Sequence, residues 1–224
     1  MPDYFSHGVA AEIIYEKLDS KHKNMLFPKT LYLLGAQGGD TFFAYCVKPT
    51  KTNLGRSMHR MNAIYLFEQL SRGNLAYAAG FASHYALDCT LHPAIYAYES
   101  TKRSPFAHTS FESDLGLYIS RKYGMRRRII PEDEVLACTS AVYDSIKKVE
   151  PLVTLTGTER CLKRYFSYTR FLFLTKRQEY KCDYDLKMLD DKIEESIALG
   201  LEAVKCVLDG DIDTEIFGKR FLQK

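Results

Sequence analysis

Eight side chains in the first half of the chain have the types and spacings of metal ligands. The densest group lies in FASHYALDCTLHP, residues 81–93, where His84, Asp88 and His92 follow one another at intervals of four. Positions four apart on an α-helix are offset by about 40°, so His84 and Asp88 share a face and can grip one ion. Pro93 disfavours helical geometry at the residue before it, and the expectation is a helix that ends there and aims His92 at a second ion. Gly80, one turn before His84, is expected to clear space for the ligands. His108 and Glu112 repeat the four-residue spacing, and His7, Asp40 and His59 complete a set that takes five of the six histidines. The sixth, His22 in DSKHKN, reads as solvated.

Imidazole and carboxylate without thiolate suit zinc at catalytic sites, and manganese or iron(II) accept the same donors. Ions that merely staple a bundle are the competing reading. A chain of 224 residues with 46% apolar content buries a core without such staples.

Helices must position these residues. Helical spacing runs from His7 to Leu18, and Leu31-Tyr32-Leu33-Leu34 leads into the glycine turn GAQGGD that carries Asp40. Further helices are expected from Ser57 to Leu70, from Leu75, from Ser104-Pro105 to Gly124, from Pro131, and over 158–178. Leu186, Leu189, Ile193, Ile197, Leu201, Val204 and Leu208 form the stripe of a last helix that ends at Gly210. Ile129-Ile130 and Leu152-Val153-Thr154-Leu155 look strand-like but are too few for a sheet. The expectation is all-α: one domain over 1–224 with seven or more helices, its metal half over 1–124 and helices of unassigned role over 125–224.

Composition narrows the setting. The net charge is only +3, but residues 121–181 carry 14 basic against 7 acidic side chains and residues 182–224 carry 6 against 11. Six scattered cysteines lack the paired spacing of zinc ribbons or redox motifs and read as reduced packing groups. The start MPDYFSHGVAAEIIYEKL shows no leader, and no segment is long enough to span a membrane, so the expected location is the cytoplasm. No obligatory protein partner is evident.

The order of His7, the Asp of GAQGGD, the His of Ser57-Met58-His59, His84 with Asp88, His92, and His108 with Glu112 resembles the zinc-dependent phospholipase C family, whose three-zinc all-helical fold fungal single-strand nucleases share. MPDYFSHG and AAGFASHYALDCTLHP look especially like its intracellular branch. The resemblance covers residues 1 to about 115. It implies that Asp40, His59, His84 and Asp88 hold a first zinc, His92, His108 and Glu112 a second, and His7 with a bridging Asp88 a third. It also implies two roles for Asp40, ligand and general base. Secreted relatives complete the third site with an amino-terminal tryptophan; this chain begins Met1-Pro2-Asp3, so that site is expected to be the weakest.

The activity this implies is phosphoester hydrolysis, on a phospholipid head group, a small phosphodiester or nucleic acid. Three dications against three carboxylates leave a positive site suited to phosphate. The family's choline-binding residues have no counterparts that can be placed here. Phe42, Phe43, Tyr45, Tyr85, Tyr96, Tyr98 and Phe106 are candidates for a pocket, or simply for core. Basic and aromatic residues interleave over 158–181, which suits a nuclease groove, a lipid-surface helix, or an amphipathic helix with a solvated basic face, the reading preferred. The alternatives to a phosphodiesterase are a nuclease, a phosphomonoesterase and a catalytically silent metal-binding module.

Overall fold

A computed structural model describes residues 4–126, 128–175, 179–184, 186–212 and 214–218. The described residues are all-α apart from one hairpin of two two-residue strands. In chain order they form α1 (Tyr4–Lys17), α2 (Ser20–Met25), α3 (Lys29–Gly35), a 3-10 turn (Gly38–Phe42), β1 (Cys46–Val47), β2 (Thr52–Asn53), α4 (Leu54–Met58) and α5 (Ala63–Ser71). Then follow α6 (Leu75–Ser100), α7 (Ala107–Lys122), α8 (Glu132–Ala137), α9 (Thr139–Val149), α10 (Leu155–Thr175), α11 (Leu186–Asp209) and α12 (Thr214–Phe217). β1 and β2 pair antiparallel, Cys46 opposite Asn53.

The axis of the fold is α6. Its residues from Ala76 to His92 are buried on every side, because α1, α3, α5, α7 and α11 all pack against it. A helix enclosed this way needs no polar face, so the alanines between Leu75 and Ala86 let neighbours approach closely. Side-chain caps set several starts: Asn53, Asn62 and Asn74 accept from the amides of Arg56, Tyr65 and Tyr77. The stripe of α11 lies against α6, with Leu189, Ile193, Ile197 and Val204 buried, and Gly210 ends the helix at φ +75°.

Several expectations change. Pro93 does not stop α6, which continues to Ser100. Proline in a helix interior costs about 3 kcal/mol, and packing along the rest of α6 outweighs it. Gly80 clears no space for ligands. A Cβ there would lie 1.9 Å from the carbonyl oxygen of Tyr32, so Gly80 instead lets the backbones of α3 and α6 touch. The helix expected over Ser57–Leu70 is two, α4 and α5, because Asn62 caps a new start. Ser104 accepts from the amide of Phe106, but α7 begins only at Ala107. Leu152–Leu155 is a turn into α10, and Ile129-Ile130 forms no strand.

His22 is also corrected. It is buried, with Nδ1 2.8 Å from Asp19 and Nε2 3.2 Å from Asp209, so it ties α2 to the end of α11. Neighbouring lysines made a buried ring look solvated.

Candidate metal centre

Four elements deliver the cluster. α1 brings His7, the 3-10 turn Asp40, the end of α4 His59, and α6 both His84 and Asp88. The turn can reach the cluster because Gly38 adopts φ +52° and lies flat on the His84 ring, where a Cβ would meet ring carbon at 2.2 Å. Since α6 runs on through Pro93, His92 stays on the face of His84 and Asp88 rather than turning away. α7 adds His108 and Glu112.

Four imidazoles surround the carboxylate of Asp88, which is 1% exposed. His84 Nε2 and His92 Nδ1 lie 3.2 Å from its oxygens, and His7 Nε2 and His59 Nε2 lie 3.5 Å away. His59 Nε2 is also 3.3 Å from Asp40 and 3.2 Å from His84 Nε2. Zinc with bonds of about 2.0–2.1 Å in a tetrahedron sets its ligand atoms about 3.3 Å apart, so these spacings fit one. The donor atoms of His7, Asp40 and His84, and of His59, His84 and Asp88, converge in two overlapping groups.

His92, His108 and Glu112 form a separate group. His108 Nε2 lies 2.8 Å from Glu112 and His92 Nε2 4.0 Å from it. The other nitrogen of His108 faces Glu99 at 3.2 Å, a carboxylate–histidine pair of the sort that orients metal ligands. Glu99 was not singled out in the sequence; its spacing of nine residues from His108, on another helix, gives no local signal.

Chemistry favours a cation here. Asp40 Oδ1 and Asp88 Oδ2 are buried against the imidazole nitrogens of His59 and His84 at 3.2–3.5 Å, Glu112 Oε2 and His7 Nδ1 are buried without hydrogen-bond partners, and carboxylates so buried are costly unless positive charge meets them. His59 Nδ1 lies 2.8 Å from the Gly55 carbonyl, which can only accept, so Nδ1 carries a proton and Nε2 faces the carboxylates. Burial lowers the pKa of His59, but Asp40 and Asp88 outweigh it and raise it to about 10. His92 is raised to about 9, Asp88 overcoming burial. His7 is lowered to about 3 by burial and by His84. Asp88 is held well below the usual carboxylate range by His84 and His92 despite its burial, while burial pushes Glu112 up. The carboxylates favour positive charge on His59 and His92, and a metal ion answers the same need.

The aromatic residues divide. Phe43 stacks on His59, with ring centroids 5.3 Å apart, and Tyr96 sits 5.4 Å from His92 and 5.7 Å from His108. Phe42 and Tyr85 are core, Tyr98 packs on Phe111, and Phe106 is exposed. A cavity of about 10 Å³, the space of roughly one water, lies among Ser6, His7, Asp88, His92 and Glu112. Ser6 was another residue passed over. Met1, Pro2 and Asp3, on which the ranking of the His7 site turned, lie outside the described residues.

α10 buries Cys161, Leu162 and Thr169 and exposes Arg160, Lys163, Arg164 and Arg170, as an amphipathic helix does. Phe171 and Leu174 are exposed as well, so its outer face is more than basic. Residues 176–178 of the interleaved segment lie outside the described residues.

An all-helical fold that gathers imidazoles around one buried carboxylate can hold zinc at a site with open positions. Residues 6–168 match the family described as zinc dependent phospholipase C, and the chain belongs to that family. A zinc-dependent phosphoesterase is therefore its class, and zinc its metal. The chain has no significant match among curated proteins or solved structures.

Proposed function

We propose that the protein is a zinc-dependent phosphodiesterase whose two or three ions are held by His7, Asp40, His59, His84, Asp88, His92, His108 and Glu112. The observation that carries this reading is the carboxylate of Asp88, buried with four imidazole nitrogens within 3.5 Å. One aspartate so surrounded serves more than one ion, and manganese or iron(II) fits the same donors.

Zinc bound there supplies a lowered pKa for water and positive charge for the transition state. Asp40, at 10% exposure the most open carboxylate of the three, accepts the proton of the attacking water. Asp88 keeps its charge and holds the two halves of the cluster together. His92, Glu112 and His108, the last oriented by Glu99, would hold an ion that could stabilise the departing oxygen.

We read the chain as one domain, because α11 lies beyond the matched residues yet packs along α6. Six scattered cysteines without the paired spacing of redox or zinc motifs suit a reducing compartment, and we place the enzyme in the cytoplasm. Among the described residues no helix is long and apolar enough to cross a membrane.

A panel of phosphodiesters, phosphomonoesters, phospholipids and single-stranded nucleic acid, assayed with zinc and after chelation, tests this reading. Diesters are expected to turn over fastest, with activity lost on chelation and restored by zinc. Preference for monoesters or nucleic acid would redirect the assignment within the fold. Metal bound without turnover of any ester would make the protein a binding module.

A further inference from the structure

A second cavity, of about 340 Å³, lies between the segment Ala44–Lys48 and the start of α10. Lys48, Arg160 and Arg164 line it, and no Asp or Glu does. Arg160 and Arg164 stand four apart on α10 and therefore share a face. The acid beside them, Glu159, pairs instead with Lys163 at 2.6 Å. None of the three cations has an ion-pair partner among the described residues; all three are exposed, so solvent screens their repulsion in part and an anion between them would relieve the rest. Thr154 and Thr156 add hydroxyls to the wall. Cys161, also in the wall, is a neutral thiol, its pKa pushed up to about 11 by burial, so the site is not built for a soft metal.

Two guanidinium forks and an ammonium match a tetrahedral dianion better than a carboxylate. The volume exceeds that of a bare ion and is in the range of ligand sites. The cavity is also near the cluster. Tyr45 in its wall is five residues after Asp40, at most about 18 Å of chain, and α10 packs on the 3-10 turn that carries Asp40.

We propose that Lys48, Arg160 and Arg164 form a phosphoryl-binding subsite, and that the substrate preferred by the metal centre carries a second phosphate that sits there. The second half rests on the hydrolase reading above; the subsite itself does not.

Two measurements separate them. In equilibrium dialysis of the purified full-length protein with labelled inorganic phosphate, wild type is expected to show a site that the Arg160→Gln/Arg164→Gln variant loses or binds about tenfold more weakly. Arg170→Gln, exposed on the same helix outside the cavity, controls for the loss of a positive charge from α10 and is expected to match wild type, whereas Arg160→Gln alone, with the same charge change, is expected to weaken the site. Asp88→Asn is expected to keep the site. Unchanged binding in the double variant, an equal loss in Arg170→Gln, or loss in Asp88→Asn alone would overturn the subsite. In assays, the double variant is expected to raise KM about tenfold for a diester bearing a second phosphate, with kcat kept and with little change for bis(p-nitrophenyl) phosphate. Equal effects on both esters would overturn the link to substrate. A protein inactive on every ester would end the hydrolase reading and that link with it, while dialysis would still decide the subsite.

Discussion

Asp88 bears the largest consequence of any single residue, because a carboxylate among four imidazoles is replaced by a neutral amide in Asp88→Asn. Bound zinc per chain is expected to fall by at least one ion and hydrolysis by about 100-fold or more, read by elemental analysis and assay; full metal content and activity would remove Asp88 from the site. Glu99→Gln leaves every ligand in place but weakens the hold on His108. It is expected to weaken one ion by about 10–100-fold, read by competition with a chelator of known affinity. His22→Ala, in contrast, should leave metal content unchanged and destabilise the fold by about 1–2 kcal/mol, since it removes a buried ring from between Asp19 and Asp209. That pair also predicts an acid response. Asp209, with Lys21 and then His22 beside it, and Asp19, accepting first from the His22 amide, both have folded pKa values below their usual range. A depressed carboxylate pKa stabilises above its unfolded value and loses that contribution as pH falls through the folded one. The stability difference between wild type and His22→Ala should therefore shrink below about pH 4, a trend that acid denaturation curves would read.

At the scale of elements, α6 decides which candidate ligands one motif brings to Asp88. Had it stopped at Pro93, His92 would point elsewhere; continuing, it sets His92 Nδ1 3.2 Å from Asp88. Pro93 is exposed and its missing amide is a cost the helix already bears. Pro93→Ala is thus expected to stabilise the protein by about 1–3 kcal/mol, less the entropy regained by the unfolded chain. Metal content should not change. A fall in stability, measured by chemical denaturation, would show that the proline shapes the helix in a way the fold needs.

At the scale of the whole molecule, the cluster ties α1, α4, α6, α7 and the 3-10 turn together, so its charge balance is part of the stability of the fold. Ions that bind only the folded chain stabilise it by about 4 kcal/mol per site at a thousandfold saturation. Chelation is expected to lower the thermal midpoint clearly and zinc to restore it. An unchanged midpoint would mean that the cluster is held by protons and packing alone.

The sequence by itself determined the helical class and the eight candidate residues, because both are written in local intervals: periods near 3.6, caps of Asn and Gly, and ligands four apart. The pair His108 and Glu112 meets at 2.8 Å, as its spacing requires. Tertiary structure decided what local intervals cannot carry. Whether a proline ends a helix depends on the packing around it, and α6 is enclosed up to His92. Whether His22 is solvated depends on Asp209, 187 residues away. Glu99 finds His108, and Lys48 shares a cavity wall with Arg160 and Arg164, only because separate elements meet. Long-range approach is set by the sum of many burial contacts, and no short stretch of the chain states that sum.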